Sequence, residues 1–345
     1  MAEQAPRAPV RTVNGRLVPA VGTCTIDPPH SQVLYEIGHM TIAKSHNNLP
    51  RISGQIRAAE QIEQSSVEVT IDVGSISYEM LGSGVPVVLT PGGRNPMDMA
   101  HALASQLAER FRVVVWDRAN VGRSDVQFSG ARDLDLWSDQ LAGLIRVLGL
   151  GPVYVIGGSA GSRVSYTTAR RYPELVRGMF VWLVSGGPVG ERLGQQYYGE
   201  SAELAEKGGM EAVTGDPYWA ARIEANPANR GRLLTQEPRG FAAVMRRWQA
   251  GIRVDDPVFG ASADDLRAIR TPTGILAAAA GDGGHPRECS ERAAELIPGA
   301  ELIEDAEFQA EWPGLQKQAL ANYEQPPALP RIIGDWIGNR EGEAR

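Results

Sequence analysis

One stretch of the sequence carries a serine in a setting that suits nucleophilic chemistry. It runs Val153-Tyr154-Val155-Ile156-Gly157-Gly158-Ser159-Ala160-Gly161 and predicts a strand, a sharp turn and a helix that stops near Tyr172. Small residues around Ser159 permit the strained turn that projects a hydroxyl group in a G-x-S-x-G pattern. Because a serine hydroxyl is unreactive at neutral pH without a base, normally a histidine oriented by a carboxylate, further residues are required elsewhere.

Composition limits the class of protein to which this serine belongs. The 345 residues are 43% hydrophobic, enough for a large globular core, and the net charge of −7 argues against non-specific binding to nucleic acid or anionic membranes. Only Cys24 and Cys289 are present, which excludes a disulfide framework and a four-cysteine metal site. The opening residues lack the apolar core of a signal peptide, and no run approaches the ~20 apolar residues that span a bilayer. We expect a cytoplasmic protein with no cofactor and no metal.

From residue 75 onward, predicted strands and helices alternate along the chain. The strands are predicted at residues 75–81, 85–90, 112–116, 153–156, 178–184, 274–280 and 300–303. The helices are predicted at residues 99–110, 134–148, 163–171, 264–269 and 287–297. Such alternation is typical of crossover connections, so the fold class is α/β with a mostly parallel sheet flanked by helices.

A helical segment at about residues 187–263 interrupts this alternation. It lies between two predicted sheet strands, as a cap over a pocket would. Its aromatic side chains are candidates for the pocket wall, with packing inside the cap as the alternative for each of them. The candidates are Tyr197, Tyr198, Tyr218, Trp219, Phe241 and Trp248. We predict that Tyr197, Tyr198, Trp219 and Trp248 line a substrate pocket.

The first 66 residues follow a different pattern. Residues 1–22 have no clear periodicity and predict a flexible tail, whereas residues 23–66 place apolar residues two apart and predict a β extension. Segments such as Thr25-Ile26-Asp27-Pro28-Pro29-His30-Ser31 and Ile37-Gly38-His39-Met40 resemble the first part of YceI-like proteins, over about residues 24–76. That family consists of lipocalin-like barrels that bind polyisoprenoid lipids. Because ~50 residues are too few for the eight strands of such a barrel, we interpret the segment as an accessory β element.

The chain from about residue 67 to residue 340 resembles the α/β-hydrolase superfamily. The resemblance is carried by Gly157-Gly158-Ser159-Ala160-Gly161, by Pro91-Gly92-Gly93-Arg94 and by the loop of residues 117–124, which we interpret as structural. It implies that Ser159 is the nucleophile. It also implies an oxyanion hole formed by the backbone amides of Ala160 and Gly93, with Arg94 as the next candidate.

The resemblance further implies an acid and a base. Asp282, in Gly281-Asp282-x-x-x-Pro286, follows a predicted buried strand where the family has its acid, and a loop-capping aspartate is the alternative. The family has its histidine after the last strand, but no histidine follows His285 in this chain. The remaining histidines lie in the β extension or near the start of a helix: His30, His39, His46 and His101.

His285 is therefore the candidate base, three residues after Asp282. It reaches Ser159 if its loop folds inward, although so short a spacing disfavours Asp282 as the group that orients the ring. A surface loop histidine is the alternative interpretation. We predict Ser159, Asp282 and His285 as the catalytic residues and, less plausibly, a carboxylate such as Glu307 as the base.

Three functions are compatible with these residues. The first is a serine hydrolase that acts on an ester, lactone or amide of a small, apolar molecule through an acyl-enzyme on Ser159. The second is lyase, cyclase or isomerase chemistry without an acyl-enzyme, and the third is a non-catalytic binding protein. We expect a small-molecule substrate, no nucleic-acid or membrane partner, and a homo-oligomer, if one forms, through the β extension.

Overall fold

A computed structural model of the chain describes residues 10–13, 16–25, 34–39, 43–48, 52–60, 66–71, 75–313 and 327–343. The chain divides into two compact units, residues 1–74 and residues 75–345. The boundary therefore lies after Gly74, later than the predicted boundary after residue 66, because the strand at residues 66–71 pairs with a strand of the first unit. Among the described residues, no helix combines the length and the apolar character needed to cross a membrane.

The described strands of the first unit pair in antiparallel fashion. Strands β1 (Val10–Val13) and β2 (Arg16–Pro19) form a hairpin, so part of the predicted flexible tail is strand, and residues 1–9 lie outside the described residues. Strand β6 (Ile52–Ala58) lies between β3 (Gly22–Thr25) and β7 (Ser66–Ile71). A second hairpin joins β4 (Leu34–His39) to β5 (Ala43–Asn48). The predicted β character of this region is confirmed for these strands.

The second unit is built on a seven-stranded sheet. Its strands are β8 (Tyr78–Leu81), β9 (Pro86–Thr90), β10 (Arg112–Trp116), β11 (Val153–Gly158), β12 (Val176–Trp182), β13 (Thr273–Leu276) and β14 (Glu301–Ile303). They lie in the order β14-β13-β12-β11-β9-β10-β8. Only β8 runs antiparallel to its neighbour within this sheet, which confirms the predicted α/β class with a mostly parallel sheet.

The helices of the second unit follow the strands in chain order. They are α1 (His101–Leu107), α2 (Asp133–Val147), α3 (Ala160–Arg171), α4 (Gly187–Gly194), α5 (Glu200–Gly215), α6 (Pro217–Ala225), α7 (Ala228–Leu234), α8 (Pro238–Ala250), α9 (Ala263–Arg267), α10 (Arg287–Leu296), α11 (306–313) and α12 (Ala328–Glu343). Helices α4 to α8 lie between β12 and β13, and we call them the helical insertion. A π-helical turn, Gln195–Gly199, joins α4 to α5.

Both faces of the central strands are buried, which explains their nearly continuous apolar sequences. In β9, Val87 and Leu89 pack in the core that contains α1 and α12, whereas Val88 packs in the opposite core with α2, α3 and the helical insertion. The pattern fixes the register of the sheet, because a slip of one residue would exchange the two faces. Consequently, the carboxyl ends of β9, β11 and β13 meet at one edge of the sheet, where the candidate residues lie.

Candidate active site

Ser159 lies at the sharp turn between β11 and α3. Its backbone adopts φ 52° and ψ −117°, a conformation that costs a residue other than glycine ~1–3 kcal/mol and must be held by its surroundings. The amide of Ser159 donates to the carbonyl of Trp182 at 3.0 Å. A Cβ at Gly161 would overlap the carbonyl oxygen of Thr90, so α3 can begin this close to β9 only with glycine there. The predicted strand, turn and helix are thus present around Ser159.

His285 contacts Ser159 directly. The Nε2 atom of His285 lies 3.1 Å from Ser159 Oγ, and its Nδ1 atom lies 2.9 Å from Asp282 Oδ2. A carboxylate only accepts hydrogen bonds, so Nδ1 carries the proton and Nε2 is left to accept the serine proton. The structure therefore brings together the three residues predicted as catalytic, in the order serine, imidazole and carboxylate.

The expectation that the three-residue spacing places Asp282 poorly for orienting His285 is wrong. Asp282 Oδ1 accepts hydrogen bonds from the amides of Gly284 at 2.9 Å and His285 at 3.1 Å, which bends the loop back over the carboxylate. This turn directs the imidazole toward the other carboxylate oxygen. An aspartate that caps its own loop and an aspartate that orients the ring are here the same residue, and the two interpretations from the sequence do not exclude each other.

Trp312 is part of the site, although sequence analysis did not single it out. It lies on α11, and its indole Nε1 donates to Asp282 Oδ2 at 2.7 Å. Burial acts to raise the pKa of Asp282, but the hydrogen bonds from His285 and Trp312 outweigh burial, so the pKa lies below its ordinary value. Asp282 is therefore held as a buried anion, with a side chain that is only 1% exposed against 20% for His285.

The other candidate bases lie elsewhere. Glu307 is exposed and pairs with Arg331 at 2.9 Å. His101 is also exposed and lies 3.3 Å from Glu79. His39 and His46 lie in β4 and β5 of the first unit, and His30 lies outside the described residues. Within the described part of the chain, His285 is the histidine that contacts Ser159.

The loop of residues 91–95 lies against the serine turn. A Cβ at Gly92 would stand 3.4 Å from the Cβ of Ser159 and 2.9 Å from the carbonyl oxygen of Gly158, so glycine permits this close approach. Among the described residues, the backbone amides of Gly93 and Ala160 donate no hydrogen bond. Two amide donors are therefore available beside the serine.

Guanidinium groups hold the carbonyls of the same loop. Buried Arg118 donates to the carbonyls of Pro91, at 2.9 Å, and Gly93, and Arg222 of α6 donates to the carbonyl of Arg94 at 3.0 Å. The side chain of Arg94 turns away to the helical insertion, where it lies over the rings of Tyr218 and Tyr197. These contacts fix the orientation of the loop's peptide groups, and Arg94 also ties the loop to the insertion.

A cavity of about 470 Å³ opens over Ser159 and His285. Much of its wall is apolar and comes from the sheet, from α1 and its preceding turn, from α4 and from α11. The apolar residues are Leu89, Met99, Leu103, Trp182, Leu183, Val189, Leu193 and Trp312. The sequence places several of them on predicted elements, but it carries no signal that their side chains share one cavity.

Of the four aromatic residues predicted to line the substrate pocket, only Tyr197 contacts this cavity. Tyr198, Trp219 and Trp248 are buried around a separate void of about 20 Å³ and pack with Phe128 and Phe241. Their polar atoms are satisfied there: Tyr198 donates to Asp133 and Trp219 donates to Ser201. These three side chains form core between the insertion and the sheet domain.

The fold and the serine turn define a class of protein, and comparison with known proteins agrees. A family model for the alpha/beta hydrolase fold matches residues 85–186, and a model for the YceI-like domain matches residues 24–83. Both resemblances predicted from the sequence are confirmed. The chain belongs to the α/β-hydrolase family, and it is a hydrolase-family enzyme by its relatives.

Individual relatives place the chain among hydrolases. It is 30% identical to RutD of Caulobacter sp. (strain K31), which is named for carbamate hydrolysis, over 57% of this chain and 72% of that protein. It is 32% identical to the 2-(acetamidomethylene)succinate hydrolase of Mesorhizobium japonicum over 35% of this chain, but the match spans only 44% of that relative. A thermophilic esterase from Thermogutta terrifontis, solved with malate bound, is 25% identical with a TM-score of 0.51, covering 77% of this chain and 94% of the esterase.

Proposed function

We propose that the protein is a serine hydrolase that cleaves an ester, lactone or amide bond of a small, largely apolar substrate through an acyl-enzyme on Ser159. The observation that carries the proposal is the chain of contacts from Ser159 Oγ through His285 to Asp282. Lyase, cyclase or isomerase chemistry on this fold becomes attractive when no base reaches the serine. The 3.1 Å contact with His285 favours hydrolysis instead.

The first chemical step follows from this geometry. His285 Nε2 takes the proton of Ser159 as Oγ attacks the substrate carbonyl, and Asp282 stabilises the imidazolium that forms. The same imidazolium then gives its proton to the leaving alcohol or amine as the tetrahedral intermediate collapses to the acyl-enzyme. A water molecule, deprotonated by His285, releases the acid and restores the serine hydroxyl.

The amides of Gly93 and Ala160 would stabilise the oxyanion of the intermediate. Both belong to backbone held in place before the substrate arrives, Ala160 by α3 and Gly93 by Arg118. A single donor of this kind is worth ~3–4 kcal/mol of transition-state stabilisation. The Arg94 amide is the alternative second donor, since its carbonyl is fixed by Arg222.

The helical insertion would act as a cap that selects the substrate. Val189 and Leu193 of α4 and Tyr197 after it contribute to the cavity wall above Ser159. A wall of this composition favours an apolar acyl or alcohol group through the burial of apolar surface. The relatives support cleavage of a carbonyl bond, and they differ among themselves in the substrates for which they are named.

The proposal is tested with short activated esters and a covalent probe. The purified chain should hydrolyse p-nitrophenyl acetate or butyrate, and a fluorophosphonate should label it once, at Ser159, as located by peptide mass spectrometry. Ser159→Ala should lose both the label and at least ~1,000-fold of the kcat. A folded protein, by circular dichroism, that neither turns over any such ester nor reacts with the probe would contradict the proposal.

A further inference from the structure

Trp312 occupies a notable place in the chain. It lies on α11, in the segment after β14 where the family resemblance leads one to expect the histidine. Its indole is buried, at 6% exposed, and borders the cavity that contains Ser159. The indole N–H, a donor only, lies 2.7 Å from Asp282 Oδ2. This segment thus reaches the carboxylate without supplying a base.

Asp282 accepts hydrogen bonds from two parts of the molecule. The amides of Gly284 and His285 donate to Oδ1, and His285 Nδ1 donates to Oδ2, all from the loop of Asp282 itself. Trp312 donates to Oδ2 from a separate element. A carboxylate offers about four lone-pair sites, so Trp312 and His285 share one oxygen and compete for its negative charge.

We propose that Trp312 is a positioning residue for the triad, which holds Asp282 Oδ2 toward His285 and sets the basicity of the imidazole. The inference rests on the proposed function. The indole is itself fixed, because it stacks on Phe308 at 6.1 Å between ring centroids and meets the ring of His285 edge to face at 6.5 Å. The donor therefore cannot follow Asp282 if the loop shifts, and it restrains the carboxylate.

Trp312→Phe tests this role, because it keeps an aromatic ring and removes the donor. More negative charge is then left on Oδ2, which stabilises the imidazolium of His285. We expect the acid limb of the kcat profile against pH to move upward by ~0.5 pH unit and kcat at pH 7 to fall ~10-fold, with KM for a small ester nearly unchanged.

Other charges near His285 stay constant in this variant. Apart from Asp282, the charged residue that lines the same cavity is Arg192 of α4. Arg287, two residues after His285, is paired with Glu291 and Glu304. Because Trp312→Phe alters none of these groups, a displaced acid limb reports the contact between Trp312 and Asp282.

Phe308→Leu is the matched control. It keeps the indole donor and removes the ring on which Trp312 stacks, so it should lower the melting temperature and leave the acid limb where the wild type has it. Two results would overturn the proposal. One is a folded Trp312→Phe variant with wild-type kcat and acid limb, and the other is an equal displacement of the limb in Phe308→Leu.

A spectroscopic measurement on the wild type does not depend on how the variants fold. Labelling with ¹⁵N-tryptophan gives indole signals for the seven tryptophans, and the signal missing from Trp312→Phe identifies Trp312. We expect its indole proton far downfield and titrating at the pH of the acid limb of kcat. An indole signal insensitive to pH over that limb contradicts the proposal. A wild type that hydrolyses no ester contradicts the proposed function instead, and an indole that titrates with the His285 ring signals still supports the positioning role.

Discussion

Asp282 and His285 lie three residues apart on one loop, with Asp282 Oδ2 2.9 Å from His285 Nδ1. The loop begins after β13 and ends at Pro286, before α10. One short segment therefore supplies both the acid and the base that Ser159 needs. The predictions below separate the contributions of the base, the acid, the loop of residues 91–95 and the cavity wall.

Replacing the base should remove most of the activity. His285→Gln keeps a polar side chain but cannot take the proton from Ser159, so we expect kcat for p-nitrophenyl butyrate to fall ~100-fold or more. His101→Gln is the matched control, because His101 is exposed and lies beside Glu79 rather than Ser159. A wild-type kcat in His285→Gln would remove His285 from the mechanism.

Replacing the acid should be at least as costly for the rate. In Asp282→Asn the amide can donate to Nδ1 and favours the wrong tautomer, so we expect kcat to fall by on the order of 10³–10⁴-fold. Labelling of Ser159 by a fluorophosphonate should slow in parallel. Equal labelling rates in the variant and the wild type would show that Asp282 does not orient the base.

The same variant also tests the charge on Asp282 through the pH dependence of stability. The pKa of Asp282 is lowered in the folded chain, so its carboxylate stabilises the fold above its ordinary pKa of 3.8, and this contribution is lost as pH falls through the lower folded value. Urea unfolding at pH 6 and at pH 3 or below measures the difference. The free-energy advantage of the wild type over Asp282→Asn should shrink at the lower pH, and an advantage that grows on acidification would contradict the lowered pKa.

The contact of Arg118 with the loop of residues 91–95 predicts a rate effect at a distance. Arg118→Met has a similar length but leaves the carbonyls of Pro91 and Gly93 without their donor, so the Gly93 amide loses its fixed direction. We expect kcat to fall ~10-fold with little change in KM. Arg123→Met, which removes an exposed arginine paired with Asp98, should behave like the wild type.

The cavity wall predicts a change in substrate size. Leu193 borders the cavity from α4, so Leu193→Trp should narrow it and lower kcat/KM for p-nitrophenyl octanoate relative to the acetate by ~10-fold. Trp219→Phe is the control, because Trp219 is buried at the smaller void and should alter stability alone. A chain-length preference that shifts in Trp219→Phe and not in Leu193→Trp would place the substrate elsewhere.

Much of the sheet domain could be predicted from the sequence because its signals are local. The apolar run of β10 and its flanking residues gave the bounds Arg112–Trp116 that the structure has, and the glycines around Ser159 indicated the turn. These features depend on neighbours along the chain. The strands of a parallel sheet, buried on both faces, are among the clearest of such patterns.

The site depended on contacts that no local pattern contains. The spacing of Asp282 and His285 is unusual until the two backbone amides that bend their loop are known. Trp312 and Asp282 are thirty residues apart and meet only through the packing of α11. The aromatic residues of the insertion have the composition of a pocket wall, yet three of the four chosen are core, because composition does not tell which face of a helix meets a cavity.

The gathering of Asp282 and His285 into four consecutive residues changes what a single genetic event can do. When acid and base lie on different loops, each must be kept in place by its own stretch of chain, and both must be acquired separately. Here residues 281–286 form a unit that one exchange of sequence between related genes transfers whole, provided that the recipient offers a serine turn and an indole at matching positions. Catalytic competence in this lineage is thereby inherited, or lost, in one step.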